Sequence, residues 1–369
     1  MNNLTRISNK RFYLLSVVAY LTLIFNKSSE ILTRGRFFAE EGAVYWSYSL
    51  YNNIIDILLY DPVGDGYYCL TCNFQILLTK LLPIQYSPLA TVWSSILFAI
   101  LPSYLFYRFA ANHYDKKIYF SIIWLLLFLP SLNFLEVFAN SINTQSYLAI
   151  SIFIILLFSN GRELIKSQYL IIFLGFMSSY YSLAILPAFI FKYYRERKRW
   201  LLKVIFIGIT SSVIQLNVFF YTLLQESLYS GRLQQKVNFG YLVEIFSHSI
   251  GINFATERFY RLDSISNLVL VIYLSILLFL IIRKSFFTNL NFILISLTYF
   301  CQIVLVYFGN PTQVFYGRYA VVSSTVIFFI YIEFIKDSKK LQNTIFVIIL
   351  ISFLNFRYQG GEYFIDCNE

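Results

Sequence analysis

The strongest constraint on this chain is the recurrence of uninterrupted apolar runs long enough to cross a bilayer. Residues 89–109 carry no charge before Arg108, and similar runs recur from residue 12 into the C-terminal third. A spanning helix needs about 20 mostly apolar residues, because its backbone N–H and C=O groups must pair with each other where no water is available. Of the 369 residues, 58% are hydrophobic and 13% charged, against about 25% charged in soluble domains. No stretch is polar enough for a soluble domain, so residues 1–369 read as a single integral membrane domain. The expected fold class is all-α, a polytopic transmembrane helical bundle.

The net charge of +10 does not point to nucleic acid. Lysines and arginines sit in short runs beside apolar segments, as they do in cytoplasmic loops. Membrane lipids are therefore the expected partners and nucleic acid is not. Arg6, Lys10 and Arg11 set a cytoplasmic N-terminus. The first span, 12–25, is retained as a signal anchor, since no small-residue cleavage site follows it. Residues 27–88 then form an outer loop, and spans follow at 89–109, 118–132 and 144–158. One straight span over 169–191 would put Lys192, Arg195, Arg197, Lys198 and Arg199 outside. The interruption Ser178-Ser179-Tyr180-Tyr181 predicts instead a hairpin of two half-helices, 169–176 and 182–191, that returns to the cytoplasmic side. Further spans are expected at 201–221, 265–282, 291–308, 319–335 and 344–354, giving about nine full spans plus the broken hairpin.

Cys69-x-x-Cys72 has no second pair and no nearby histidine, so a tetrahedral metal site lacks half its ligands; a redox or disulfide role stays open. Cys301 lies in an apolar run and reads as packing. Aromatic residues make up 20% of the chain. Most fit an interfacial belt, and a few outer tyrosines could stack on sugar rings.

The outer loop holds the chemistry. Glu40 and Glu41 are adjacent carboxylates just past a span. At a cavity edge their repulsion raises one pKa, which suits a general base; alternatively they cap the following helix through its dipole. Residues 43–60 show helical spacing of apolar positions and predict a helix lying on the membrane. Asp61-Pro-Val-Gly-Asp-Gly66 is a turn cluster, and 70–82 predict a second short helix closed by Pro83. The loop is thus an acidic pair with two juxtamembrane helices.

These features resemble the GT-C superfamily of membrane glycosyltransferases, which take sugars from polyprenyl-phosphate donors. The resemblance rests on Phe38-Ala-Glu40-Glu41-Gly42 after the first span and on the two loop helices. Asn143-Thr-Gln-Ser-Tyr147, the Ser178-Ser179 break and Gly317-Arg318-Tyr319 also look like a bacterial branch of that group. It implies a core over 1–220 with acidic outer loop 27–88, and residues 221–369 as an outer loop with C-terminal helices. The activity implied is inverting transfer from a lipid-phosphate-linked sugar to a glycan or lipid acceptor, on the outer face of a bacterial-type inner membrane. Glu41 is then the first choice of base and Glu40 the second, while Arg318, Arg36, Arg258 and Arg261 are candidates for holding the donor phosphate. Simple interface anchoring would account equally well for each arginine. Glu41 stands where Asp is commoner and no outer-loop histidine accompanies it, which leaves a divalent cation open. The competing readings are a lipid-linked saccharide polymerase or ligase, and a flippase or transporter coupled through Glu40 and Glu41.

Overall fold

The computed structural model describes residues 2–37, 41–61, 67–132, 139–159, 163–226, 245, 289–309 and 317–335. Every regular element among them is helical. The first helix, α1 (Asn2–Arg34), bends by 95° between Asn9–Asn26 and Ser28–Arg34. The bend falls where the apolar sequence gives way to Asn26-Lys-Ser-Ser29, and Ser28 leaves the helical region at φ −138°, ψ 38°. A π-helical turn, Glu41–Trp46, leads into α2 (Ser47–Tyr51), α3 (Ile54–Leu58) and α4 (Leu70–Thr79). The helix expected over 43–60 is therefore broken. Asn53 is the reason: its side-chain oxygen accepts from the amides of Ile55 and Asp56 and starts a new helix there. The second short helix is present, ending at Thr79 ahead of Pro83.

The bundle is built from α5 (Ser87–Phe109), α6 (Lys116–Leu132), α7 (Thr144–Phe158), α8 (Lys166–Phe176), α9 (Tyr180–Leu183), α10 (Leu186–Glu196) and α11 (Arg199–Glu226), with α12 (Leu290–Gly309) and α13 (Gly317–Ile335) behind them. α7 is its axis. All fifteen of its residues are buried, packed against α5, α8 and α13. α11 is the opposite: Phe206, Ile209, Val213, Leu216, Phe220 and Leu224 all face outward. A row of apolar side chains this long is a liability in water and ordinary in lipid.

About nine full spans are not what the helices provide. Among the described residues three are long and apolar enough to cross a membrane, Ile84–Phe109, Arg199–Tyr221 and Leu290–Tyr307, or five if each bent pair counts as one. The expected span at 144–158 is α7, which at about 1.5 Å per residue reaches roughly 22 Å, short of a hydrocarbon core of about 30 Å. The span expected at 118–132 is α6, 17 residues and roughly 26 Å long, and that at 319–335 is α13, 19 residues and roughly 28 Å, both near the lower limit for crossing. Those at 265–282 and 344–354, with the loop to Asp263 and the C-terminal tail, lie outside the described residues.

The interruption at the serines is real. Lys166–Phe176 and Tyr180–Glu196 meet at 115°. The far ends of the pair lie at one end of the bundle: Tyr169 of α8 carries the ammonium of Lys203 over its ring at 5.8 Å, and α11 begins three residues after α10 ends.

Gly35 lets the chain turn from α1 into the loop. Its φ is +75°, and a Cβ there would lie 2.7 Å from both the Leu89 amide nitrogen and the Pro88 carbonyl carbon, which are backbone atoms that cannot swing away. Gly35→Ala is expected to cost about 1–3 kcal/mol, read as a lower thermal midpoint of the detergent-solubilised protein.

Candidate functional site

Glu41, the start of α7, α4 and the Ser178 break meet at one end of the bundle. Glu41 opens the π-helical turn and is fully buried, with Oε1 accepting the Ser141 amide at 2.8 Å. Gly42 makes this possible, since a Cβ there would sit 2.9 Å from that of Phe37, whose ring packs on Trp46. Ser141 follows Ala139, which adopts φ 54°, and the turn between them delivers the chain to the start of α7. Asn140 holds the turn by accepting the Asn143 amide at 2.9 Å.

From this turn a polar chain runs into the bundle. The Thr144 hydroxyl donates to the Ser141 carbonyl at 2.6 Å and accepts from Gln75 Nε2 at 3.0 Å. Gln75 Oε1 in turn accepts from the hydroxyls of Ser94 at 2.8 Å and Ser95 at 3.0 Å. Gln75 is thus the joint between α4, α5 and α7. The start of α4 is tied to the broken helix: the Leu70 amide donates to the Met177 carbonyl at 3.3 Å and the Thr71 amide to the Ser178 hydroxyl at 2.9 Å. Gln215 of α11 makes a two-way pair with the Tyr68 backbone, at 3.0 and 2.8 Å. Cys69 and Cys72 are disulfide-bonded across the first turn of α4 and buried against Tyr45 and Ile57.

Beside this network lies a carboxylate that sequence reasoning assigned only to a turn. Asp61 has a buried Oδ1 with no hydrogen-bond partner among the described residues, and burial pushes its carboxyl above the usual aspartate range. Its charge is felt by Tyr68 and Tyr180, and Tyr180 packs edge-on against Tyr67 at 6.0 Å. Gln145 Nε2 donates to the Tyr67 hydroxyl at 3.3 Å. The signal available in sequence was an aspartate next to a proline between two loop helices, which turn chemistry alone explains.

The other anticipated groups are less informative. Glu40, Arg258 and Arg261 lie outside the described residues. Arg36 is half-buried just ahead of Glu41. Arg318 is the second residue of α13, and its side chain lies outside the described residues. Phe329 of α13 packs on Phe153 and Phe158, and Tyr114 donates to Glu333 at 3.0 Å, so the Arg318 end of α13 points toward the Glu41 end of the bundle. No group of three metal-ligating side chains occurs among the described residues. Comparison of the chain with family models, curated proteins and solved structures finds no match.

Replacing Gln75 by Leu keeps the bulk but strips three hydroxyls of their shared partner. The expected loss is about 1–2 kcal/mol, seen as earlier thermal unfolding in detergent, while Gln75→Glu, which keeps the acceptor but buries a carboxyl group and loses the donor to Thr144, should lose at least as much.

Proposed function

We propose that this chain is an inverting membrane glycosyltransferase that moves a sugar from a polyprenyl-phosphate donor to a glycan or lipid acceptor on the outer face of a bacterial-type inner membrane. One observation carries the reading: Glu41, the Asn143-to-Tyr147 helix start and the Ser178-Ser179 break, three separate stretches of the chain, are joined at one end of the bundle by hydrogen bonds running through α4. In this reading an acceptor hydroxyl attacks the anomeric carbon, the carbon–oxygen bond to the lipid phosphate breaks, and a carboxylate takes the hydroxyl proton. Glu41 is the base, with Glu40 beside it. Arg318, with Arg36, Arg258 and Arg261 as further candidates, meets the charge gathering on the leaving phosphate. Asp61, half-buried among Tyr67, Tyr68 and Tyr180, is suited to orient a sugar acceptor stacked on a tyrosine ring.

Two features support a cytoplasmic N-terminus. Disulfides such as Cys69–Cys72 persist in oxidising compartments, which favours an outer location for the loop. The basic run Arg195 to Arg199 stands at the opposite end of the bundle, where Lys192 donates to the Leu156 carbonyl near the end of α7. In a cysteine-substituted chain, a thiol at Lys198 should react with a membrane-impermeant reagent only after the membrane is opened, and so should one at Lys166. Labelling of either in intact cells contradicts both the orientation and the re-entrant reading of α8 to α10.

The broken helix also favours a second reading, a transporter, since discontinuous helices commonly frame transport sites. Transfer of label from radiolabelled polyprenyl-phosphate sugar to extracted surface glycans, measured per correctly inserted molecule, separates the two. Glu41→Gln is the decisive variant, because Gln still offers an oxygen to the Ser141 amide and so spares the fold. A base at this position predicts a rate lower by about 10²-fold or more. A purely structural Glu41 predicts a rate close to that of the unaltered protein.

A further inference from the structure

A cavity lies far from Glu41, at the end of the bundle where α8 and α11 begin. It is a groove of about 670 Å³ between these helices, within the roughly 300–1,000 Å³ range of small-molecule sites. Its walls are apolar, from Leu164, Leu202, Phe206 and Ile207, and its mouth carries Lys166 and Lys203. Phe206 is 73% exposed and lies on the outward face of α11, so the groove opens sideways, toward the hydrocarbon of a surrounding bilayer. Water does not fill such a space in a membrane. An alkyl chain does.

The charges at the mouth say what kind of chain. Neither Lys166 nor Lys203 has a carboxylate within ion-pair distance among the described residues. Lys203 instead rests its ammonium over the Tyr169 ring. Glu163, three residues before Lys166, is exposed and its charge is felt at Tyr169, while Glu196 at the end of α10 is paired with Lys198 at 2.6 Å. Arg195, Arg197 and Arg199 add further positive charge at the same end of the bundle. Basic pockets between membrane helices at the cytoplasmic side attract anionic headgroups. We infer that this groove binds one anionic phospholipid, its headgroup phosphate between Lys166 and Lys203 and one acyl chain along Leu202, Phe206 and Ile207. The bound lipid joins the first turn of α8 to that of α11, and so holds shut the mouth of the broken hairpin. This site is independent of the glycosyl-transfer reading and stands or falls without it.

The test uses the full chain purified in a neutral maltoside detergent, with dioleoyl phosphatidylglycerol or dioleoyl phosphatidylcholine added, read by native mass spectrometry and by thermal unfolding. Expected are one retained phosphatidylglycerol per chain and a higher unfolding midpoint with that lipid than with phosphatidylcholine. Each of Lys166→Gln and Lys203→Gln should weaken retention about fivefold, from about 1 kcal/mol per basic residue near an anionic lipid. Both lysines are exposed, so the variants should fold. Phe206→Trp, which fills the groove and leaves the lysines intact, should also reduce retention. Equal retention of the two lipids overturns the proposal, as does full retention by the double lysine variant. Inorganic phosphate giving the whole thermal shift would also overturn it, since the groove would then contribute nothing.

Discussion

The rest of the structure depends on how backbone polar groups are paired where the helix breaks at Met177, Ser178 and Ser179. A break inside a membrane strands N–H and C=O groups, each costing several kcal/mol in hydrocarbon if left unpaired. The start of α4 has the complementary problem, because the first N–H groups of any helix lack partners in their own chain. The two needs meet in the Leu70 to Met177 and Thr71 to Ser178 bonds. Gln302 completes the arrangement from α12 by donating to the Tyr181 carbonyl at 2.6 Å. The second loop helix is therefore part of the hairpin rather than an appendage to it.

Once α4 is fixed, the rest of the loop follows. Asn73 donates from α4 to the carbonyls of Leu58, at 3.2 Å, and Tyr60, at 2.7 Å, which sets the end of α3 and brings Asp61 alongside. Tyr60 stacks on Tyr48 at 3.7 Å and meets Tyr45 edge-on, tying α2 and the π-helical turn to the same platform. Gln75 reaches the start of α7, whose Ser141 turn receives Glu41. Glu41 and Asp61 thus owe their positions to one short helix braced against a broken one.

What sequence could and could not convey divides along physical lines. α5, α11 and α12 were legible because length and hydropathy fix a spanning helix. The break at Ser178 was legible because the basic residues beyond it would otherwise lie on the wrong side. α7 was legible as a helix over 144–158, but its burial was not, since hydropathy measures transfer out of water and cannot tell lipid from protein as the apolar surroundings. Its fifteen residues are as apolar as those of a span, yet all of them touch protein. The break between α2 and α3 was missed because the apolar spacing on either side stays helical while Asn53 caps locally. The disulfide needed geometry: two cysteines three residues apart pair only when the first stands just outside the helix, as Cys69 does. Asp61 gave no signal, since its significance lies in a buried oxygen without a hydrogen-bond partner among the described residues rather than in any neighbour along the chain.

Glu41 asks for an explanation beyond architecture. A fully buried carboxyl group gives up its hydration, and the Ser141 amide returns one hydrogen bond to it. The bond to Ser141 accounts for the position of the side chain. It also fixes the rotamer, so that the carboxylate is oriented before any substrate arrives, the condition under which a proton acceptor gains most from its surroundings. A carboxyl tied through Ser141 and Thr144 to Gln75 of α4 is held in place as the general base proposed above would have to be. In the proposed glycosyltransferase, the same bonds that join the end of the bundle would hold the base ready for its acceptor.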